Sequence, residues 1–230
     1  MKKTLKISLI VILLGIIILF TTALIVLVVI KQKVANVEFD KNKIIATYQS
    51  VKIYDSDKEL ISNEDNFIPL SQLQDYTKNA FISIEDKDFY NHKGLNYKRI
   101  AKAFVDNVIE RGYNQGASTI SQQLIKNTHL NNDKTISRKV KEMFLTKKLE
   151  SMYTKDEILE TYLNVIYFGN GAYGINSASL NYYDKTADKL SISESAVLAG
   201  LIKSPRNYSP IYNLDNCIKR RNTVLQQMYN

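Results

Sequence analysis

The sequence predicts a mainly α-helical protein: an N-terminal transmembrane helix, a short neck and one helical lobe that includes a short hairpin. Three observations carry this reading. Residues Ile7 to Ile30 bear no charge and are almost wholly aliphatic. From Ser71 onward, apolar residues recur at a helical period. Thr119 with Gln122, Thr154 with Glu157 and Ser191 with Glu194 have capping-box spacing next to apolar-periodic stretches.

In chain order, residues 7–30 are long enough, at about 1.5 Å per residue, to cross a hydrocarbon core of roughly 30 Å. The alternative is a cleaved signal peptide, whose apolar region runs about 7–15 residues. Here the run is longer and Lys31-Gln32-Lys33 follows it, so an uncleaved anchor is expected. Lys2, Lys3 and Lys6 precede the anchor, and Lys31, Lys33, Lys41 and Lys43 follow it, so charge alone does not orient it. Residues 1–6 then form a tail and 31–49 a neck. Residues 50–230 form one domain of ordinary size, with no repeat and no Pro/Gly-rich linker.

Within that domain, Ser50 to Tyr54 and Glu59 to Ser62 alternate weakly about Asp55-Ser56-Asp57, as a small hairpin does. Leu73, Thr77, Ala80 and Ile84 mark one helix, and Ile100, Ala103, Phe104 and Val108 mark the next. Glu85 to Asn96 lies between them, so Glu85 sits at or just past a helix end, where a carboxylate can face a cleft. Ile136, Val140, Phe144 and Leu145 give an amphipathic helix. Ile158, Leu159, Tyr162, Leu163 and Ile166 give another, closed by Gly169-Asn170-Gly171. A last helix covers Asp215 to Met228.

The formal net charge is +8, which suits an anionic partner. Cys217 is the only cysteine, and His92 and His129 are the only histidines. A disulfide framework and a Cys/His zinc site are therefore excluded. Basic residues alternate with acids rather than with aromatics, which argues against nucleic acid. The chemistry narrows to carboxylates working with cationic side chains. Glu85 to Gly94 gathers acids at a helix end, and Arg138, Lys141 and Glu142 are read as neighbours on one helix face. Taken alone, each stretch reads as a solvated face.

Five strings in order change that reading: EDKDFYNHKG (Glu85 to Gly94), GASTISQQLIKN (Gly116 to Asn127), RKVKE (Arg138 to Glu142), KDEILETYLNVIYFGNGAYGI (Lys155 to Ile175) and SESAVLAGLIKSPRNYSP (Ser193 to Pro210). Together they closely resemble glycosyltransferase family 51, and the resemblance runs from about Ser50 to the final RRNTVLQQM. Ala117 and Ser121 stand where that family often has Gly and Thr.

The resemblance implies a lysozyme-like helical lobe with a small membrane-proximal lobe, and a monofunctional peptidoglycan glycosyltransferase anchored by one pass with its catalytic domain outside the cell membrane. Its substrates are then lipid II and the growing glycan strand, joined with inversion and release of undecaprenyl pyrophosphate, and moenomycin-type mimics are its inhibitors. Glu85 is the implied general base. Glu142 is the implied second acid, which orients cations and sugar. Lys126, Arg138 and Lys141 are candidates to cradle the diphosphate, with a divalent cation, magnesium or manganese, sharing that work.

Ser118, Thr119, Gln122 and Gln123, at a helix start, suit sugar hydroxyls or phosphate oxygens, with simple capping open for Ser118 and Thr119. Lys155 is a further phosphate candidate. Glu160 and Asn164 are expected to brace the site, and the loop Tyr167 to Tyr173 to line the donor groove. Asp86, Phe89 and His92 belong to the first string, the last two as packing and hydrogen-bonding residues. His129 and Cys217 read as structural, and Arg111 to Gln115 as a flap of poor order. Other cell-wall synthesis and division proteins are candidate partners. The rival readings are a lysozyme-like glycan-cleaving enzyme and a noncatalytic cell-wall scaffold. A cleaving enzyme needs no diphosphate cradle, and a scaffold needs no paired carboxylates.

Overall fold

In the computed structural model the described residues are 2–35, 38–46, 52–54, 60–63, 66–110, 118–131, 133 and 135–230. The expected flap, Arg111 to Gln115, and the hairpin turn 55–59 lie outside them. Helix α1, Lys2–Ala35, is continuous over 34 residues. Its longest uninterrupted run of described side chains, Ile10 to Thr22, is exposed throughout. Among the described residues no helix is long and apolar enough to cross a membrane. A six-residue helix α2, Lys41–Ala46, follows. The expected hairpin is present as antiparallel strands β1, Lys52–Tyr54, and β2, Leu60–Asn63.

The remaining elements are helical but for one small hairpin. Helix α3, Asp75–Glu85, starts later than the apolar pattern suggests, because Leu73 is buried at the end of a preceding single turn of 3-10 helix. Next come α4, Tyr97–Glu110, α5, Ile120–His129, α6, Ile136–Met152, and α7, Lys155–Val165. Strands β3, Tyr167–Gly169, and β4, Ala172–Tyr173, pair where the sequence reads only as a loop. Residues 169–171 all take positive φ there, which two glycines and an asparagine adopt at little cost. Helix α8, Ile175–Tyr183, is not anticipated by the sequence reading; α9, Ile192–Leu201, and α10, Leu214–Tyr229, complete the chain.

All three capping boxes form, with Thr119, Thr154 and Ser191 each bonded reciprocally to the residue three ahead. Helices α3, α9 and α10 pack as one group, and α5 packs between α6 and α7 as another. Phe81 of α3 meets Phe168 of β3 edge-on at 5.9 Å, and both are fully buried in the one core that the helices share. Cys217 is buried on α10, where burial pushes its thiol pKa up.

Helix α6 departs from the expected amphipathic stripe. It buries Glu142, Leu145, Thr146 and Leu149, whereas Ile136 and Phe144 are 78% and 45% exposed. Its inward face is part polar because it forms a wall of the site.

Candidate active site

Glu85 is the last residue of α3, and its neighbours show why the helix stops there. The next residue, Asp86, is fully buried and leaves helical geometry, at φ −156° and ψ 71°. Its carboxylate accepts from Ile120 N at 3.1 Å, from His92 Nε2 at 3.0 Å and from Arg99 Nη1 at 3.3 Å. Asp86 thus fastens the end of α3 to the start of α5. Gly94 N donates to His92 Nδ1 at 3.1 Å, so the ring's proton lies on Nε2, facing Asp86. Phe89 is fully buried and stacks edge-on with His92. These two residues hold the turn, as expected for packing and hydrogen-bonding groups.

With its backbone fixed in this way, the partly buried Glu85 side chain accepts from Gln123 Nε2 at 2.6 Å. Tyr162 OH in turn donates to Gln123 Oε1 at 3.1 Å, which orients the amide. Burial pushes the Glu85 carboxyl above the ordinary glutamate range. The Gln123 hydrogen bond and the positive charges of Arg220 and Arg99 oppose that rise, and Asp86 adds to it. Neither arginine was singled out from the sequence. The only signal for Arg220 was its place in RRNTVLQQM.

Glu142 lies opposite, on α6, at 2% exposure. It accepts from Arg138 Nη1 at 2.7 Å and from Gln122 Nε2 at 3.1 Å, and it pairs with Lys139. Lys139 Nζ also reaches Ser118 Oγ at 3.0 Å. The cations that meet Glu142 are therefore at i−4 and i−3, the spacings that share a helix face. Lys141, at i−1, is directed elsewhere and has no ion-pair partner among the described residues. The expected third cation, Lys141, is thus replaced by Lys139, whose helical spacing reaches Glu142.

Both carboxylates face one cavity of about 390 Å³, whose walls include Ser118, Gln122, Gln123, Lys126, Tyr167 and Lys203. Lys126 and Lys203 have no hydrogen-bond or ion-pair partner among the described residues, so their charges are available to a ligand.

Other expected site residues serve the scaffold. Thr119 caps α5 and donates to Gly94 O at 2.6 Å. Gly94 needs its φ of +81°, and a Cβ there would lie 2.8 Å from Thr146 Cγ2 and 2.9 Å from Glu150 Cγ. Lys155 pairs with Glu150 at 2.7 Å and lies over the Phe89 ring at 4.5 Å, away from the cavity. Glu160 accepts from Leu70 N at 2.7 Å, and Asn164 bonds both Ile68 N and Ile68 O at 2.9 Å, so the two brace the segment entering α3. His129 stacks on Phe39 at 4.9 Å and bonds Asp40 O at 3.1 Å, tying the neck to α5. Of the loop Tyr167 to Tyr173, Tyr167 lines this cavity and packs on Tyr173 at 4.7 Å.

The donor set does not form a metal cage. Among the described residues no three His, Cys, Asp or Glu side chains converge. Both Glu142 oxygens are already engaged by cations and an amide.

The described residues thus bring to one cavity a carboxyl raised by burial, an ion-paired carboxylate and two lysines that have no partner among them. The family model described as transglycosylase matches residues 51–229. Penicillin-binding protein 1A of Escherichia coli is 44% identical over 182 residues, 77% of this chain and 21% of its own length. Penicillin-binding protein 1F of Bacillus subtilis is 42% identical over 193 residues, 82% of this chain and 27% of its own length. The crystal structure of penicillin-binding protein 1A from Haemophilus influenzae is similar at 24% identity and a TM-score of 0.41, over 79% of this chain and 18% of that one. The chain belongs to the transglycosylase family. It spans about a fifth to a quarter of the length of the relatives it matches.

Proposed function

We propose that the chain polymerises lipid II into glycan strands, with Glu85 as general base and the Glu142-centred cations receiving the leaving diphosphate. The observation that carries this is that Glu85 and Glu142 line one cavity, with Arg138 and Lys139 locked on Glu142 and Lys126 unpaired beside them. In the step proposed, the 4-hydroxyl oxygen of the acceptor's N-acetylglucosamine attacks the anomeric carbon of the growing strand. The glycosidic C–O bond to the diphosphate breaks, the electron pair leaves on the diphosphate oxygen and the hydroxyl proton passes to Glu85. A carboxyl whose pKa is raised by burial is a better match to that proton than an exposed one. Fixed cations stabilise the charge that grows on the leaving group, so they act on the transition state more than on the ground state.

In this reading the helical lobe is of the lysozyme-like kind that the resemblance implies, and helix α1 is the anchor. A helix whose aliphatic side chains are exposed all round, as at Ile10 to Phe20, is unfavourable in water and suited to lipid. The catalytic lobe then lies outside the cell membrane, where its substrate's head group is presented. A glycan-cleaving enzyme is the weaker reading, because a neutral linkage needs no cluster of cations.

The test is lipid II polymerisation by the full chain in detergent or bilayers. Wild-type protein is expected to form glycan strands, and Glu85→Gln to lose at least about 10³-fold in rate with its fold intact. Strand synthesis by Glu85→Gln at the wild-type rate overturns the assignment of the base.

A further inference from the structure

A second cavity lined by described residues plays no part in the chemistry above. It measures about 870 Å³ and adjoins the Glu85 cavity, since Tyr167 and Pro205 form walls of both. Its far side carries Tyr182, Arg206, Asn207 and Tyr212. Tyr182 is fixed in place, because its hydroxyl donates to Phe168 O at 3.1 Å. The β3–β4 turn is pinned against the same wall: a Cβ at Gly169 would lie 2.8 Å from Pro205 Cβ and 3.2 Å from the Tyr182 hydroxyl. Arg206 is exposed to the cavity and has no hydrogen-bond or ion-pair partner among the described residues.

We infer that this cavity receives the stem peptide carried by the muramoyl sugar of the substrate, with the Arg206 guanidinium pairing a peptide carboxylate. The inference rests on lipid II being the substrate. Charge selects the peptide rather than more of the glycan. Once its lactyl group is amidated, a glycan strand is neutral, so it offers an unpaired guanidinium nothing beyond ordinary hydroxyl contacts. The peptide carries carboxylates, to which a guanidinium binds through paired hydrogen bonds. Its amides suit Asn207, and its methyl groups suit the tyrosine faces. The volume falls within the range of pockets that enclose a ligand of this size. The connection through Tyr167 and Pro205 allows the peptide to branch sideways while the sugar stays at Glu85.

The experiment compares two lipid-linked disaccharide substrates, one bearing the full pentapeptide and one whose lactyl group is capped as a simple amide. Both are assayed with the full chain and with Arg206→Ala and Tyr212→Ala. The expected result is that Arg206→Ala lowers kcat/KM on the peptide-bearing substrate about tenfold or more, mostly through KM, and leaves the capped substrate unchanged. Tyr212→Ala shows the same selectivity to a smaller degree. Equal rates on the peptide-bearing substrate for wild type and Arg206→Ala overturn the inference, and so does an equal loss on both substrates. In each case an active wild-type chain leaves the polymerase reading standing. A wild-type chain inactive on both substrates sinks the polymerase reading and this inference with it.

Discussion

Glu85 is placed by its neighbour: Asp86 is buried and bonded to three partners, and the catalytic candidate inherits that rigidity. Burial raises the Glu85 pKa while Arg220 and Arg99 restrain it. A base must be deprotonated, so polymerisation is expected to rise with pH through this raised pKa. Arg220→Met removes a restraining charge and is expected to move the acid limb of the rate profile to higher pH, read from kcat/KM between pH 5 and 8. An unmoved limb removes Arg220 from the electrostatics of the site. The sign for stability is opposite. A carboxyl raised on folding favours the folded state below its unfolded pKa, and that contribution is lost as pH rises through the folded pKa. Glu85→Gln is therefore expected to match or exceed the wild-type melting temperature at pH 8, and a lower one contradicts the burial argument. On α6, Lys139→Ala is expected to cost about 10²-fold in rate and Lys141→Ala far less, measured as strand synthesis. The sequence strings exposed Glu85, Glu142, Gln123 and Arg138. Lys139 is also legible, in its helical spacing to Glu142. The approach of Arg220 from the last helix depends on tertiary packing and was not legible.

Among the elements, helix starts were the most legible feature, because a capping box is a local bargain between a side chain and the backbone four residues long. Thr119→Ala is expected to cost about 1–2 kcal/mol in chemical denaturation, since it loses both the cap and the bond to Gly94 O. Asn164→Ala leaves Ile68 N and O unpaired at about 1–3 kcal/mol each, and should loosen the entry to α3 in hydrogen exchange. The face of α6 was misread because periodicity assumes that the core side is the apolar side. Here the wall of the cavity imposes Glu142 on it, and Thr146 fills the close approach to Gly94. The β3–β4 hairpin was hidden by shortness, since strands of three and two residues cannot display alternation.

At the scale of the whole molecule, two helical groups share one core, and Phe81 and Phe168 are among its fully buried rings. Phe81→Ala is expected to cost about 3–5 kcal/mol and to lower the single unfolding transition rather than split it. The class of fold was legible from periodicity alone, but the grouping of α3 with α9 and α10 joins residues far apart in sequence, which no local pattern records. That packing also encloses Cys217, whose burial keeps it in the thiol form. A sulfur so shielded offers nothing to oxidants or to a neighbouring chain while the last helix stays seated. Its uptake of a thiol-reactive dye thus becomes a clock for the lifting of that helix, ticking at the rate at which the lobe breathes.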